Sequence, residues 1–150
     1  MKISIIIPCF NERETIKKII EKVLKQKNYE KEIIVVDDFS TDGTRNILEN
    51  EIKTEVKKII FNEKNYGKGY SVRQGFKEAT GDIILIQDAD LEYDPSDYPK
   101  LIDPIVNGDA DVVYGSRFKG SEEKRILFFW HSIGNWILTS LSNMLSNLNL

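Results

Sequence analysis

The chain has 150 residues, a formal net charge of -3 and a single cysteine, Cys9. This length suffices for one domain with a buried core, whereas the near-neutral charge excludes a generally basic nucleic-acid-binding surface. One cysteine excludes an internal disulfide and a thiolate zinc cluster. The first apolar run, broken by Pro8, is too short for the hydrophobic region of a signal peptide. We therefore expect a cytoplasmic protein that does not bind nucleic acid.

Strand and helix patterns alternate along most of the chain. Apolar runs predict strands, and apolar residues at three- and four-residue spacing predict amphipathic helices. In chain order the predicted elements are a strand at 2–7 stopped by proline, a helix at 14–27, a strand at 32–36, a helix at 43–51, a strand at 57–61, a helix at 68–79, a strand at 82–87, a helix at 95–106 and a strand at 111–114. This alternation predicts an α/β fold with a mostly parallel central sheet and helices on both faces.

Polar segments follow four of the predicted strands. PCFNE follows the first strand, DDFSTDGT the second, QDADLE the fourth and GSRF the fifth. Ligands of parallel sheets bind outside the carboxyl ends of the strands. We therefore expect these four loops to meet at one edge of the sheet and to form a ligand site.

The segment QDADLE places three carboxylates, Asp88, Asp90 and Glu92, within five positions. Like charges so close together oppose folding unless a positive charge lies between them, and we expect no counterion from the protein itself. Carboxylates suit Mg²⁺ or Mn²⁺, which proteins hold through one or two carboxylates plus substrate phosphates. The alternative is an acidic turn whose aspartates cap the following helix. The residues alone leave both interpretations open.

Two other loops offer groups for a nucleotide. The carboxylate of Asp38 can accept hydrogen bonds from a nucleobase or ribose, whereas Asp42 suits a turn and helix cap. Lys68 lies between two glycines at a predicted helix start, where backbone N–H groups and the helix dipole favour a phosphate. An ordinary solvated lysine is the alternative there.

The last part of the chain is predicted to form an amphipathic helix. Polar residues such as His131 and Asn135 interrupt it, so it falls short of the roughly 18 clean apolar residues of a membrane-spanning helix. Its apolar positions at helical spacing are Phe129, Ile133, Trp136, Ile137, Leu141, Met144, Leu145 and Leu148. This stripe either packs on the sheet or contacts a membrane or partner, and we expect self-association through it.

Five segments carry a resemblance that covers nearly the whole chain: SIIIPCFNE, IIVVDDFSTDGT, NEKNYGKGYSVRQGF, GDIILIQDADLEYDP and DVVYGSRF. Together they resemble the family 2 inverting glycosyltransferases of GT-A fold, in the branch that includes dolichyl-phosphate mannose and glucose synthases. The resemblance implies a Rossmann-like GT-A sheet and a metal-dependent enzyme that uses a UDP- or GDP-sugar donor. The implied acceptor is a polyprenyl (dolichyl or undecaprenyl) phosphate, with peripheral contact at the cytoplasmic face of a membrane.

The resemblance also assigns roles to residues. Donor binding falls to Pro8, Phe10, Glu12, Asp38, Lys68, Asp88 and Ala89. Among these, Asp38 matches the carboxylate that reads the base. Asp88 and Asp90 match the DXD-type motif at the metal and diphosphate, with Asp90 expected to be catalytic. Glu92 stands where the mannose synthases usually carry a metal-coordinating Gln, so the change keeps an oxygen ligand.

Acceptor binding falls to Arg117, His131 and Asn135, and Arg117 is also expected to act in catalysis. His131 stands where the synthases usually have Arg, which leaves the identity of the acceptor open. The alternative is that Arg117 pairs with Glu122 or Glu123 and that His131 is an ordinary helix residue.

We expect two parts, a nucleotide-sugar-binding core at 1–117 and an acceptor loop with the amphipathic helix at 118–150. Catalytic domains of the family continue further, so the chain is expected to be an N-terminal piece. A transferase acting on a saccharide is one alternative, and a non-catalytic nucleotide-sugar-binding fragment is another. A phosphoreceiver domain is disfavoured because it needs a lysine after the fifth strand, where this chain has GSR.

Overall fold

The computed structural model describes residues 1–115, 137–141 and 144. The chain divides into two compact units, Met1–Val113 and Tyr114–Leu150. In the second unit, the described residues 137–141 and 144 are helical, and the rest of the predicted apolar stripe lies outside the described residues. Within the described ranges, no helix has the length and hydropathy needed to cross a membrane.

A parallel sheet forms the centre of the first unit. Its strands are β1 (Lys2–Cys9), β2 (Glu30–Asp37), β3 (Lys58–Phe61) and β4 (Ile83–Ile86). They lie in the order β3-β2-β1-β4, and all three pairings are parallel. β1 and β2 are buried on both faces, as their nearly continuous Ile and Val runs require. The predicted α/β fold with a mostly parallel sheet is confirmed.

A helix follows each of these four strands. The helices are α1 (Ile16–Lys25), α2 (Thr44–Ile47), α3 (Lys68–Glu78) and α4 (Tyr98–Val106). A π-helical turn, Leu48–Ile52, extends α2, and a 3₁₀ turn, Pro95–Asp97, precedes α4. Each lies within one of the four predicted helical segments or overlaps it, so the connections agree with the sequence pattern.

Helices cover both faces of the sheet. The alternate residues Ile3, Ile5 and Ile7 of β1 share one buried cluster with residues of α1 and α4. Ile6 points to the opposite face, where it meets Gly75 of α3 so closely that a Cβ added to Gly75 would lie 2.4 Å from Ile6 Cγ2. Successive side chains of a strand point to opposite faces of the sheet, so Ile5 and Ile7 pack near α1 and α4 whereas Ile6 packs against α3.

The expectation that Pro8 stops the first strand is wrong, because β1 continues through it to Cys9. The Ile6 carbonyl accepts from the Gln87 N–H on the β4 side, and residues two apart in a strand face the same way. The backbone nitrogen of Pro8, which has no hydrogen, therefore points to the β4 side of the strand. β4 ends at Ile86, before the position that would pair with Pro8. No ladder hydrogen bond is lost there.

The predicted fifth strand is also not found, since residues 111–114 have no strand assignment. Val112 is 64% exposed despite its β-favouring sequence. A strand needs a neighbour that completes its hydrogen-bond ladder, and β1 is the only described strand that pairs with β4. The apolar pattern of this segment predicted a strand, but these residues form no ladder with the free edge of β4 or with any other described strand.

The amino-terminal edge of the sheet contains a buried carboxylate, Glu32. It accepts hydrogen bonds from Ser4 Oγ at 2.7 Å, Thr80 N at 2.7 Å and Lys57 Nζ at 2.8 Å, and it also contacts Lys2 Nζ. Burial would raise its pKa, but the two ammonium groups and the other donors outweigh burial and hold the pKa of Glu32 well below its usual range. This cluster joins β1, β2 and the turn before β4.

Candidate functional site

A cavity of about 180 Å³ opens at the carboxyl ends of the strands. Its walls come from the loops after β1, β2 and β4 and from the start of α3. The lining residues are Pro8, Cys9, Phe10, Glu12, Asp38, Lys68, Ser71, Asp88, Ala89 and Asp90. Three of the four loops expected to converge therefore do so. The fourth, GSRF, lies outside the described residues from Ser116 onward.

The cavity brings together all seven residues predicted to bind the donor, together with Asp90. Cys9 and Ser71 also line it, although no sequence pattern indicates that either residue binds a ligand. Glu92 is not among the lining residues. Arg117, His131 and Asn135, the residues predicted to bind the acceptor, lie outside the described part of the chain. The individual roles of all these residues stay predictions.

Hydrogen bonds fasten the loop after β1 to the loop after β2. Asn11 N donates to Ser40 Oγ at 2.8 Å, and the Asn11 side chain accepts from Thr41 N at 2.8 Å. One residue later, Glu12 N donates to Thr44 Oγ1 at 2.9 Å. The loop after β1, which carries Phe10 and Glu12, is therefore held in place by hydrogen bonds to residues 40–44.

Asp42 acts in the turn before α2, as expected, but it does not hold the N-cap position. Its carboxylate accepts from Thr44 N at 3.0 Å, Thr44 Oγ1 at 2.6 Å and Arg13 N at 3.0 Å, while Gly43 holds the N-cap position. Burial would raise the pKa of Asp42, but the hydrogen bonds from Thr44 and Arg13 outweigh it, so the pKa is lowered. Asp42 thus shapes the loop and does not line the cavity.

The carboxylate of Asp38 anchors the segment before α3. Asp38 is 3% exposed and accepts from Asn62 Nδ2 at 2.7 Å, Tyr66 N at 3.0 Å and Gly67 N at 2.7 Å. Burial would raise the pKa of Asp38, but these donors, with Ser71, outweigh it and lower the pKa. Asp38 is therefore ionised and holds the loop that leads into the cavity. Recognition of a base by Asp38 stays a prediction.

A second buried carboxylate, Asp37, has a structural role that the sequence did not reveal. Arg45 Nε donates to Asp37 Oδ2 at 2.5 Å, and Arg45 Nη2 donates to the Asn62 carbonyl at 2.6 Å. The guanidinium also lies over the rings of Phe39 and Phe61, at 5.1 and 5.3 Å from their centroids. Arg45 thereby neutralises Asp37 and ties β2 to the end of β3.

Cys9 lines the cavity wall as a buried free thiol. Burial raises its pKa well above the usual value, and the neighbouring carboxylate of Asp37 raises it further. A thiol in this state is a poor nucleophile. The structure agrees with the interpretation of Cys9 as an inert core residue.

The expectation that the acidic segment lacks a protein counterion is wrong. Lys68, the first residue of α3, places its Nζ 2.6 Å from Asp88 Oδ1 and 2.8 Å from Asp88 Oδ2. The side chain of Lys68 is 61% exposed and that of Asp88 is 18% exposed. Twenty residues separate them in sequence, so only the meeting of α3 with the β4 loop creates the pair.

The Asp90 carboxylate shapes a local turn. Asp90 Oδ1 accepts from Glu92 N at 3.0 Å, and Leu91 between them has a φ of 67°. The following 3₁₀ turn is capped instead by Asp94, which accepts from Ser96 N at 2.9 Å. Hydrogen bonds from Lys22 and then Ser96 lower the pKa of Asp94 to about 2. Asp88 and Asp90 are therefore not the residues that cap the following helix.

The donor set at the cavity fits a hard divalent cation that is only partly held by protein. Asp88 and Asp90 both line the cavity and offer carboxylate oxygens. Among the described residues, no group of three His, Cys, Asp or Glu side chains is arranged to hold a metal ion. Two carboxylates, with the remaining positions left to substrate phosphates and water, match the way proteins bind Mg²⁺ at phosphate-transfer sites.

Comparison with known sequences gives consistent matches. The model for Glycosyl transferase family 2 matches residues 4–143. A dolichol-phosphate mannosyltransferase of Pyrococcus furiosus is 41% identical over 133 residues, which cover 86% of this chain and 37% of that protein. An undecaprenyl-phosphate 4-deoxy-4-formamido-L-arabinose transferase of Proteus mirabilis is 36% identical over 128 residues, 81% of this chain and 38% of that protein. The chain thus spans less than two fifths of these relatives.

Solved structures agree with the predicted GT-A fold. S. aureus TarS in complex with UDP-GlcNAc matches with a TM-score of 0.62 and 27% identity, over 80% of this chain and 39% of that one. Mannosyltransferase PcManGT from Pyrobaculum calidifontis, in complex with GDP-Man and Mn2+, matches with a TM-score of 0.54 and 29% identity, over 59% and 27%. Glucosyl-3-phosphoglycerate synthase of Mycobacterium tuberculosis, in complex with Mn2+, UDP and glucosyl-3-phosphoglycerate, matches with a TM-score of 0.58 and 26% identity. The match covers 69% of this chain and 39% of that one.

Proposed function

The chain belongs to glycosyl transferase family 2, and from this premise we propose that the protein transfers a sugar from a nucleotide-sugar donor to a polyprenyl phosphate. The observation that carries the proposal is the cavity at the carboxyl ends of the strands, where three loops and the start of α3 bring the seven predicted donor-binding residues together. The parallel sheet brings these loops together, but packing alone does not require the carboxylates and the lysine that line the cavity.

In the proposed donor complex, Pro8, Phe10 and Glu12 hold the nucleoside, and Asp38 accepts from the base. The Asp38 oxygens already accept three hydrogen bonds from the chain, and a carboxylate offers about four acceptor positions. Ser71 supplies a fourth donor, so a donor group on uracil or guanine has to share an Asp38 oxygen with one of these groups. Solved relatives in complex with UDP-GlcNAc and with GDP-Man support a donor of this class.

Asp88 and Asp90 are proposed to hold Mg²⁺ or Mn²⁺, with Glu92 assisting, and Asp90 as the main ligand. A divalent ion at this place neutralises charge that develops on a leaving diphosphate. The structure of a relative with GDP-Man and Mn2+ supports this assignment. Lys68 lies beside Asp88 and adds a second positive group to the same part of the cavity.

The proposed reaction is attack by an acceptor oxygen on the anomeric carbon of the sugar. The bond from that carbon to the diphosphate breaks, and the configuration inverts. A polyprenyl phosphate is largely ionised at neutral pH, because the second pKa of a phosphate monoester is about 6, so it needs no strong general base. A sugar hydroxyl would need one. The names of the two curated relatives, both transferases of polyprenyl phosphates, favour the phosphate acceptor.

Arg117, His131 and Asn135 are proposed to hold the acceptor phosphate, with Arg117 also acting in catalysis. The planar guanidinium matches a phosphate with two parallel hydrogen bonds, which a lysine cannot do. In the same proposal, the apolar stripe of the C-terminal helix lies along the lipid tail, gives peripheral contact with the cytoplasmic face of a membrane, or joins two copies of the chain.

Calorimetry with UDP and GDP in the presence of Mn²⁺ tests the donor half of the proposal. Release of the nucleoside diphosphate in the presence of a short-chain polyprenyl phosphate then tests transfer. Arg117→Ala and His131→Ala should weaken acceptor binding, whereas Lys124→Ala, a nearby charge control, should not. Absence of nucleotide binding refutes the function. Binding without release identifies a non-catalytic nucleotide-sugar binder, and release with a saccharide alone identifies a different acceptor.

A further inference from the structure

The ion pair between Lys68 and Asp88 occupies one of the two carboxylates that the proposed function gives to a metal. Lys68 Nζ contacts both oxygens of Asp88, at 2.6 and 2.8 Å. Asp90, the other carboxylate at the cavity, accepts a backbone hydrogen bond from Glu92 and has no ion pair among those described. The two aspartates of the motif are therefore in different electrostatic states before any ligand arrives.

Lys68 and a divalent cation compete for Asp88 in this arrangement. A metal bound about 2.0–2.1 Å from either oxygen would lie within roughly 4 Å of the ammonium group, where like charges repel each other. Metal binding at Asp88 therefore favours the departure of Lys68. Its departure is sterically easy, because its side chain is 61% exposed and no atoms surround the Cβ positions of the adjacent Gly67 and Gly69.

We propose that Lys68 is an internal competitor of the metal at Asp88, and that it makes metal and nucleotide diphosphate bind cooperatively. When the metal arrives alone, the ion pair is broken and Lys68 gains no new partner. When a nucleoside diphosphate arrives with the metal, the displaced ammonium group finds a phosphate oxygen at the same place in the cavity. The inference rests on the proposed function, because it takes the diphosphate and the metal from it.

Thermodynamic linkage makes this cooperation measurable, since each ligand must raise the affinity of the other by the same factor. Removing Lys68 frees Asp88 for the metal. It also removes the ammonium group that would bind a phosphate oxygen of the diphosphate. The variant Lys68→Met should therefore bind the metal alone more tightly and the nucleotide less tightly. These opposite effects distinguish competition from a simple contribution of Lys68 to phosphate binding, which would leave metal binding unchanged.

The test measures Mn²⁺ binding to the 150-residue chain without nucleotide, by electron paramagnetic resonance of the free ion. We expect Lys68→Met to bind Mn²⁺ about two- to fivefold more tightly, the range set by an exposed ion pair. The matched control is Lys58→Met, because Lys58 forms a similarly exposed pair with Glu78, at 2.7 Å, and sits at the opposite edge of the sheet. In Asp88→Asn, replacement of Lys68 by Met should produce no gain.

Calorimetry with UDP and GDP, with and without Mn²⁺, gives the second measurement. The factor by which Mn²⁺ improves nucleotide binding should fall in Lys68→Met by about tenfold, as expected for loss of a hydrogen bond to a charged group. Unchanged or weaker Mn²⁺ binding in Lys68→Met overturns the inference. An equal gain of Mn²⁺ affinity in Lys58→Met also overturns it, and so does a lack of Mn²⁺ binding by the wild type and all variants. A Mn²⁺ gain without nucleotide binding by any variant supports the competition and refutes the proposed donor function.

Discussion

The contact between Gly75 of α3 and Ile6 of β1 leads to a prediction about stability. A methyl group in Gly75→Ala would lie 2.4 Å from Ile6 Cγ2, 3.1 Å from Cγ1 and 3.2 Å from Cδ1. Ile6 is fully buried in a strand that has neighbours on both sides, so it cannot rotate away without disturbing the sheet. The helix must move by roughly 1 Å to restore ordinary contact distances between carbon atoms.

The magnitude follows from two opposing terms. Overpacking of a core costs roughly 1–3 kcal/mol, and we expect the upper part of that range because the nearest contact is severe. Alanine gains about 1 kcal/mol of helix propensity over glycine. The free energy of unfolding of Gly75→Ala should therefore fall by about 1–2 kcal/mol, which corresponds to a loss of roughly 2–8 °C in the melting temperature for a chain of this size.

Gly69 provides a control within the same helix. No atom lies within 4 Å of a Cβ placed on Gly69, so Gly69→Ala should keep or raise the free energy of unfolding, by up to about 1 kcal/mol. Urea unfolding followed by circular dichroism measures both variants, and an unchanged slope shows that only stability has changed. In the double variant Ile6→Ala/Gly75→Ala, the Gly75 substitution should no longer destabilise. A Gly75→Ala protein as stable as the wild type would refute the packing argument.

Three further predictions concern carboxylates. Asp90→Asn should remove the metal-dependent part of UDP and GDP binding in calorimetry, and unchanged metal dependence would exclude Asp90 as the main ligand. Asp38→Ala should abolish the preference among UDP, GDP and CDP and also lower the free energy of unfolding by about 1–3 kcal/mol, since buried N–H groups lose their acceptor; a protein that keeps both properties contradicts these roles. Glu32→Gln should destabilise by about 1–3 kcal/mol at pH 7, because two lysines lose a buried charged partner but are each about one-third exposed to solvent. The folded-state pKa of Glu32 is lowered, so its contribution is present above the unfolded pKa of about 4.3 and is lost as the pH falls below it. Chemical unfolding from pH 7 to pH 2 should show the wild type approaching the variant, and a constant difference would contradict this.

The elements of the fold could be predicted because their signals are local. The apolar runs of β1, β2 and β4 and the helical spacing in α1 are visible within windows of a few residues. The position of the site followed as well, since a parallel sheet places its loops at the carboxyl ends of the strands. The two errors about strands arose where the outcome depends on a neighbour: Pro8 is tolerated because β4 has ended beside it, and residues 111–114 have no described partner.

The contacts inside the site could be predicted only in part, because they depend on how elements meet. The motif around Asp88 and Asp90 is visible in the sequence, but its neutralisation by Lys68 requires the start of α3 to face the β4 loop. Asn62 gave no recognisable signal, although its side chain donates to both Asp38 and Ser71 and its carbonyl accepts from Arg45. Hydrogen bonds that join several elements through one side chain depend on how those elements pack together, and a single sequence does not show that packing.

The strand order also has a consequence for how the chain acquires its structure during synthesis. β1 lies between β2 and β4, and its residue Ile3 pairs with Ile83, eighty positions later. At a translation rate of about 5–20 residues per second, roughly 4–16 s pass between the synthesis of these two partners. Throughout that interval one side of an almost wholly apolar strand has no hydrogen-bonding neighbour. Until residues 83–86 are made, this edge of β1 is open to pairing with other segments.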